Sequence, residues 1–337
     1  MNYSKETFNF VESQLITDEF SREHYTYETL IHITNLVDEI NELKKQKNAI
    51  VLAHTYVGTE IVNTIADYSS DSYSLAVESK KFDCDTIVFA GVRFMAETAK
   101  ILNPNKTILL PDINSTCSLA ESITPEEVLR LKSEHPGAPV VCYINSSAEV
   151  KALVDVVVTS SNALKIVKQI PEKDIIFIPD KLMAKNIHNQ LLKEGILKNF
   201  YTNEGTCIVH DNFDEFLIKD GRQNFPDLKV LSHPECSENI VNLSDMTGST
   251  TQIMNYVNDS NSKHFMILSE CGLTDKLHQK HPEKVFVASC HMCPYMKMNS
   301  LEKIRDVLKS PNPNQIIEVD KEIAAKAIIA INRMFSY

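Results

Sequence analysis

A block of about 90 residues recurs three times along this chain, and that repeat limits its possible folds more than any other feature. Each copy opens on an apolar strand pattern whose C-terminal end turns polar: AIVLAHTY from residue 49, VVCYIN from 140 and KVLSHPE from 229. The landmark residues His54, Tyr143 and His233 mark those ends. A run of small hydroxyl residues leading into an amphipathic helix comes next, in DYSSDSYSLAVES, VVVTSSNALKIVKQI and LSDMTGSTTQIMNYV. Then follow a strand and a helix, in TIVFAGVRFMAETAKIL, IIFIPDKLMAKNIHNQLL and HFMILSECGLTDKL. Each copy closes on a strand that runs into a cysteine-bearing loop, in TILLPDINSTC, KNFYTNEGTC and KVFVASCHMC.

Near-continuous apolar strands alternating with helices predict parallel sheets covered on both faces. The expected fold class is therefore α/β, with three pseudo-symmetric Rossmann-like three-layer (αβα) domains around a central site. Residues 1–118 would hold an N-terminal arm and the first repeat, 119–207 the second and 208–317 the third. In the arm, Leu30, Ile33, Leu36, Val37, Ile40 and Leu43 follow a helical spacing. The amphipathic segment 318–337 is expected to pack back on the first domain. Ligands of parallel sheets bind beyond the carboxyl ends of the strands. Three copies about a pseudo-threefold axis would aim those ends, and the cysteines Cys117, Cys207 and Cys293, at one point.

Composition narrows the class of partner. The chain has 337 residues, 43% apolar and 23% charged, the balance of a soluble globular protein. A formal net charge of −11 argues against nucleic acid, which needs a basic face. Small anions remain acceptable, since helix N-termini can hold them locally. No run reaches the roughly 18 to 20 apolar residues of a membrane helix. The opening MNYSKETFNFVESQL lacks a basic leader and an apolar core. A cytoplasmic, reducing location is expected, in which eight cysteines serve as thiols, metal ligands or reactive groups rather than a disulfide frame.

Full ligation of an iron–sulfur cubane takes four thiolates. Three repeat-related cysteines would supply three and leave one iron open as a Lewis acid for a substrate oxygen. A three-thiolate catalytic zinc is the competing reading. Cys142 and Cys84 read as small buried hydrophobes, while Cys236 and Cys271 lie near strand ends and would line the site without ligating. Cys290 and Cys293 form a C-x-x-C pair, of which Cys293 is taken as the ligand and Cys290 as a neighbouring thiol.

The strings LAHTY, IADYSSDS, GVRFMAETAKILNP, TCSLAES, CYINSSAEVKALVDVVVTSSNA, CIVH, HPEC, GST and CPYMKMNSLEKI resemble those of the quinolinate synthase family, from about residue 40 to 310. The resemblance implies a 4Fe–4S cluster with three cysteine ligands, Cys117, Cys207 and Cys293, on the axis between three α/β domains. It implies condensation of iminoaspartate with dihydroxyacetone phosphate to quinolinate, phosphate and two waters, in NAD biosynthesis. Its substrate-contacting positions fall on His54, Ser72, Tyr143, Asn145, Ser160, His233, Glu235 and Thr250, with Ile144 and Pro234 between them. Tyr56 and His210 occupy further lining positions. An aspartate-oxidising enzyme would be a transient partner. Ser70 replaces the family's usual Gly, Ser115-Thr116 replaces an Ala-Gly pair, and the segment from His54 to Ser72 is one residue longer.

Within that frame Glu235 is the expected base, its pKa raised by partial burial toward working pH. His54, Tyr143 and Tyr56 would polarise oxygens or relay protons, and Asn145 would orient an imine or carboxylate. Ser160, Ser249 and Thr250 would cradle an anion where strands pass into helices, or serve only as N-caps. His210 would line the site or merely hold its loop. The rival functions are a zinc-dependent lyase or aldolase and a non-catalytic iron–sulfur redox sensor; a sensor has no need of acid–base residues at strand ends.

Overall fold

A computed structural model describes residues 4–287, 289 and 291–336 of the chain. It divides into two compact units, Met1–Ser115 with Pro294–Glu318, and Thr116–Cys293 with Val319–Tyr337.

The first unit carries one four-stranded parallel sheet of β1 (Ala49–His54), β2 (Tyr68–Ser70), β3 (Thr86–Ala90) and β4 (Thr107–Leu109), in the order β2-β1-β3-β4. β1 and β3 are almost wholly buried, as their unbroken apolar runs require of strands covered on both faces. The arm contributes a helix, Tyr27–Gln46, which buries Leu30, Ile33, Leu36, Val37 and Ile40 as the spacing predicts. Thr26 caps its N-terminus by accepting the Thr29 N–H. This helix packs against the helix Leu301–Lys309 that returns from the far end of the sequence.

The second unit holds two more sheets. One contains β5 (Val140–Tyr143), β6 (Val156–Val158), β7 (Asp174–Ile178) and β8 (Asn199–Tyr201), ordered β6-β5-β7-β8. The other contains β9 (Lys229–Ser232), β10 (Met246–Thr247), β11 (His264–Leu268) and β12 (Val285–Phe286), ordered β10-β9-β11-β12. All pairings in both are parallel. The strand order is thus the same in all three sheets, as expected of one unit written three times.

The repeat extends to single hydrogen bonds. Asp67, Asp155 and Asp245 each stand just before the edge strand and accept the backbone N–H of Val51, Val140 and Val230 at 2.7, 2.8 and 2.9 Å. Each aspartate returns its own N–H to the carbonyl of the same valine. These paired bonds pin the start of the edge strand to the central one, using a residue type that strands otherwise avoid.

The C-terminal helix departs from expectation. Lys321–Ser336 packs on β6 and the helix Ala148–Lys151 of the second repeat, not on the first. Ala327, Ala330, Ile331 and Met334 form its buried stripe, and Arg333 donates to the Asp155 carbonyl at 2.6 Å. The stripe says which residues are covered but not which sheet covers them. Ile331→Ala is expected to cost about 2–5 kcal/mol in urea unfolding, the range for truncating a fully buried aliphatic side chain; a loss below about 0.5 kcal/mol would count against this packing. No helix among the described residues is long and apolar enough to cross a membrane.

Candidate active site and metal centre

The carboxyl ends of the strands in the second unit place four polar side chains against one another. Tyr143 ends β5, and His233 and Glu235 follow β9. His210 begins a short 3-10 turn after the Cys207 loop. The Tyr143 hydroxyl donates to Glu235 Oε1 at 2.5 Å, and His210 Nδ1 meets Glu235 Oε2 at 2.9 Å. His233 stacks on His210 with ring centroids 4.4 Å apart. Glu235, His210 and His233 are each 3% exposed. His210 Nε2 lies 3.1 Å from the hydroxyl of Ser269, which is wholly buried.

Burial alone would push the Glu235 carboxyl up. The neighbouring His233 and His210 imidazoles and the hydrogen bonds from His210 and Tyr143 outweigh it and hold the group below the usual carboxylate range. The rise expected from partial burial is therefore overturned. With Glu235 ionised, His210 Nδ1 must carry the proton of their shared bond.

The strand-end histidines share a local device across the repeat. His54 Nδ1 accepts the Tyr56 N–H at 3.2 Å, and His233 Nδ1 accepts the Glu235 N–H at 3.4 Å. An accepting Nδ1 leaves the proton of the neutral ring on Nε2. In the first unit, His54 and Tyr56 rings meet edge to face at 4.5 Å, and Lys297 of the CPYMKMN segment donates to the Tyr56 carbonyl at 2.9 Å. Ser72 starts the helix Ser72–Glu78, which Asp71 caps.

The cysteine loops are tied together at their bases. The Ser118 hydroxyl donates to the Thr206 carbonyl at 3.3 Å and accepts the Ile208 N–H at 3.3 Å, joining the loops that bear Cys117 and Cys207. Gly205 lets the second loop pass close by: a Cβ there would collide with Ser122 Oγ and the Pro179 carbonyl. Glu270 accepts the Cys293 N–H at 3.2 Å with one oxygen and caps the helix Cys271–Lys280 with the other. Cys117 lies within electrostatic reach of both other thiols: it feels Glu235 and Cys293, and Cys207 feels Glu235 and Cys117. Each cysteine keeps some surface exposed. Packed protein around the sulfurs nevertheless favours the neutral form, pushing Cys117 up to about 12 and Cys207 well above its ordinary value. Such a cluster of thiols beside a carboxylate becomes ionised when a cation is bound.

Cys207 Sγ, a His210 nitrogen and a Glu235 oxygen also lie within 4.8 Å of one another, a sulfur–nitrogen–oxygen donor set. His210 Nδ1 sits 3.3 Å from Cys207 Sγ. Cys142 and Cys236 belong to the hydrophobic cores of their repeats, and Cys84 is buried. Cys271 is disulfide-bonded, where thiols, metal ligands or reactive groups were expected, whereas Cys293 is not in a disulfide. Cys290 lies outside the described residues.

The remaining predicted contacts divide clearly. Asn145 points Nδ2 toward Cys117 Sγ at 3.9 Å, while its buried Oδ1 has no hydrogen-bond partner among the described residues. Ile144 spends its N–H on the Val158 carbonyl and its own carbonyl on Ser146. Ser160 and Pro234 line a cleft of about 650 Å³ between the second and third repeats. Thr250 opens the helix Thr250–Asp259 and is buried. Ser249 is that helix's N-cap, in a capping box with Gln252. Ser249→Ala is accordingly expected to lower stability by about 0.5–2 kcal/mol with kcat and KM unchanged; a selective rise in KM would instead assign the hydroxyl to substrate.

Sequence reasoning missed Ser118, Ser269, Glu270, Asn186 and Asp180. Asp180 is wholly buried and caps the helix Lys181–Lys193, and its Oδ2 has no hydrogen-bond partner among the described residues. Burial and then the charge of Glu235 push its carboxyl well up. The polar residue preceding a helix in IPDK and SEC was the available signal.

Residues 38–336 match the family "NadA: Quinolinate synthetase A protein". The chain is 41% identical over 308 residues to the quinolinate synthase of Microcystis aeruginosa (strain NIES-843 / IAM M-2473), covering 89% of this chain and 94% of the relative. It is 42% identical over 306 residues to that of Xylella fastidiosa (strain 9a5c), covering 91% and 88% respectively. To that of Synechocystis sp. (strain ATCC 27184 / PCC 6803 / Kazusa) it is 41% identical, covering 90% and 95%. With the motifs, the three like sheets and a match along nearly its whole length, the chain belongs to the quinolinate synthetase A family.

Proposed function

We propose that this chain is a quinolinate synthase that condenses iminoaspartate with dihydroxyacetone phosphate, releasing phosphate and two waters, in NAD biosynthesis. The observation that carries the reading is the convergence of the Cys117, Cys207 and Cys293 thiols beside the Tyr143–Glu235–His210 network. These thiols fit a 4Fe–4S cluster: Cys117 is in electrostatic reach of Cys207 and Cys293, and the other free cysteines among the described residues, Cys84, Cys142 and Cys236, are buried. When bound, the cluster would supply a Lewis-acidic iron suited to a substrate carboxylate or hydroxyl.

The protein's own groups account for the proton movements. The Glu235 carboxylate orients the Tyr143 hydroxyl and the His210 Nδ1–H, so a proton taken by Glu235 can be replaced or passed on through either. Asn145 offers its Oδ1, without a partner among the described residues, to a substrate donor such as an imine N–H. Ser160 and Thr250 are assigned to anionic substrate groups. His54, Tyr56 and Ser72 are assigned as further substrate contacts on the family resemblance, with His54 presenting Nε2–H as a donor.

The Cys207, His210 and Glu235 donor set favours a second reading, a mononuclear zinc lyase or aldolase. Against it, the His210–Glu235 hydrogen bond already occupies both groups, and a metal would have to displace the shared proton. Anaerobic purification with iron, sulfide and zinc counts, followed by an assay with both substrates, decides. About four irons and four sulfides per chain with quinolinate formed support the first reading; zinc without sulfide, or no quinolinate from loaded protein, overturns it.

A further inference from the structure

We infer that Asn186 is a positioning residue for Glu235, gripping the main chain on both sides of it; the inference deepens the reading above, in which Glu235 moves the proton. Asn186 lies in the helix Lys181–Lys193 of the second repeat, and Glu235 lies in the HPEC loop of the third. The Asn186 amide nitrogen donates to the Pro234 carbonyl at 2.9 Å and to the Cys236 carbonyl at 2.7 Å. These two carbonyls bracket Glu235. Asn186 is 8% exposed, so both bonds are sheltered from competing water.

The chemistry of the position is restrictive. Two carbonyls facing one nitrogen call for a neutral group with two hydrogens, which an amide supplies. A hydroxyl serves only one of them, a carboxylate opposes both, and a buried ammonium adds a desolvation cost. Glu235 must reach Tyr143 Oη with one oxygen and His210 Nδ1 with the other, at 2.5 and 2.9 Å. Those partners sit on different repeats or loops, so the carboxylate's place depends on how the HPEC backbone is held. Other ties on the loop include the His233 N–H to the Leu268 carbonyl at 3.2 Å, the Cys236 N–H to the His233 carbonyl at 3.0 Å and the Glu235 N–H to His233 Nδ1 at 3.4 Å. A misplacement of about 1 Å in a catalytic group can cost about 100-fold in rate.

The test uses the full-length, metal-loaded protein with Asn186→Ala and the isosteric Asn186→Asp. Asn186→Ala should lower kcat by about 10- to 100-fold with KM for both substrates within about twofold and iron content unchanged. Asn186→Asp should be worse, because it sets an acceptor against two acceptors. Hydrogen exchange gives a readout independent of activity: in Asn186→Ala the Cys236 amide should exchange at least about 10-fold faster while Val230 and Leu231 in β9 stay protected. Unchanged kcat in Asn186→Asp, a loss lying wholly in KM or iron content, or exchange that is unaltered or altered uniformly would each overturn the inference. If wild-type protein makes no quinolinate, the proposed function fails, and the local exchange alone decides whether Asn186 holds the Glu235 backbone.

Discussion

Cys117→Ala is expected to yield a colourless protein that retains its fold, loses its iron and sulfide, and turns over at least about 1,000-fold more slowly than wild type. The physical reason is ligand count. In the proposed function the three thiols hold a cubane already one thiolate short of full ligation, which cannot lose another and keep its place. The loop itself should survive, because Ser118 rather than Cys117 joins it to the Cys207 loop. Cys142→Ala is the matching control. Cys142 lies in the second repeat's hydrophobic core, so its loss should reduce stability and leave iron content unchanged. Metal and sulfide analysis with a visible spectrum checks both variants. Brown, active Cys117→Ala protein would remove that residue from the ligand set.

Glu235→Gln should cost about 100- to 10,000-fold in kcat, the span of general acid–base catalysis. The substitution keeps shape but converts one acceptor oxygen into a donor. In wild type both oxygens accept, from Tyr143 and from His210. An amide therefore sets a donor against one of two donors in a site 3% exposed. The pH dependence of stability has a definite sign. Glu235 is held below its ordinary pKa, so its ionised form stabilises the fold above the unfolded value of about 4.3, and that contribution is lost as pH falls toward the folded value. Acid unfolding of Glu235→Gln should be less steep in that window. Wild-type kcat in the variant, with Tyr143 and His210 in place, would exclude Glu235 from proton transfer.

The candidate site was legible where its proposed residues sit at strand ends. Cys117, Cys207 and Cys293 stand out because the repeat places them at equivalent loops, and Tyr143 and His233 because they end equivalent strands. Tyr143, His210 and Glu235 then proved to form one hydrogen-bonded network, whereas the expected rise in the Glu235 pKa was reversed. Burial can be anticipated from an apolar neighbourhood in sequence, but two histidines and a tyrosine aimed at one carboxylate cannot. Ser249 was legible only as a choice between two roles, and its capping box with Gln252 gives the hydroxyl a structural partner.

By itself, the sequence determined the threefold α/β plan, the strand and helix order in each copy and the set of repeat-related thiols. Those features follow from periodicity and from near neighbours, which a linear string records. Only the tertiary structure decided which sheet receives the C-terminal helix, which residues lash the cysteine loops together and how Glu235 is held and charged. An amphipathic stripe fixes that a face is covered and leaves the partner open. Hydrogen bonds such as those from Asn186 to the HPEC loop join residues some 50 positions apart, and their energies depend on distance and burial, which exist only once the chain is folded.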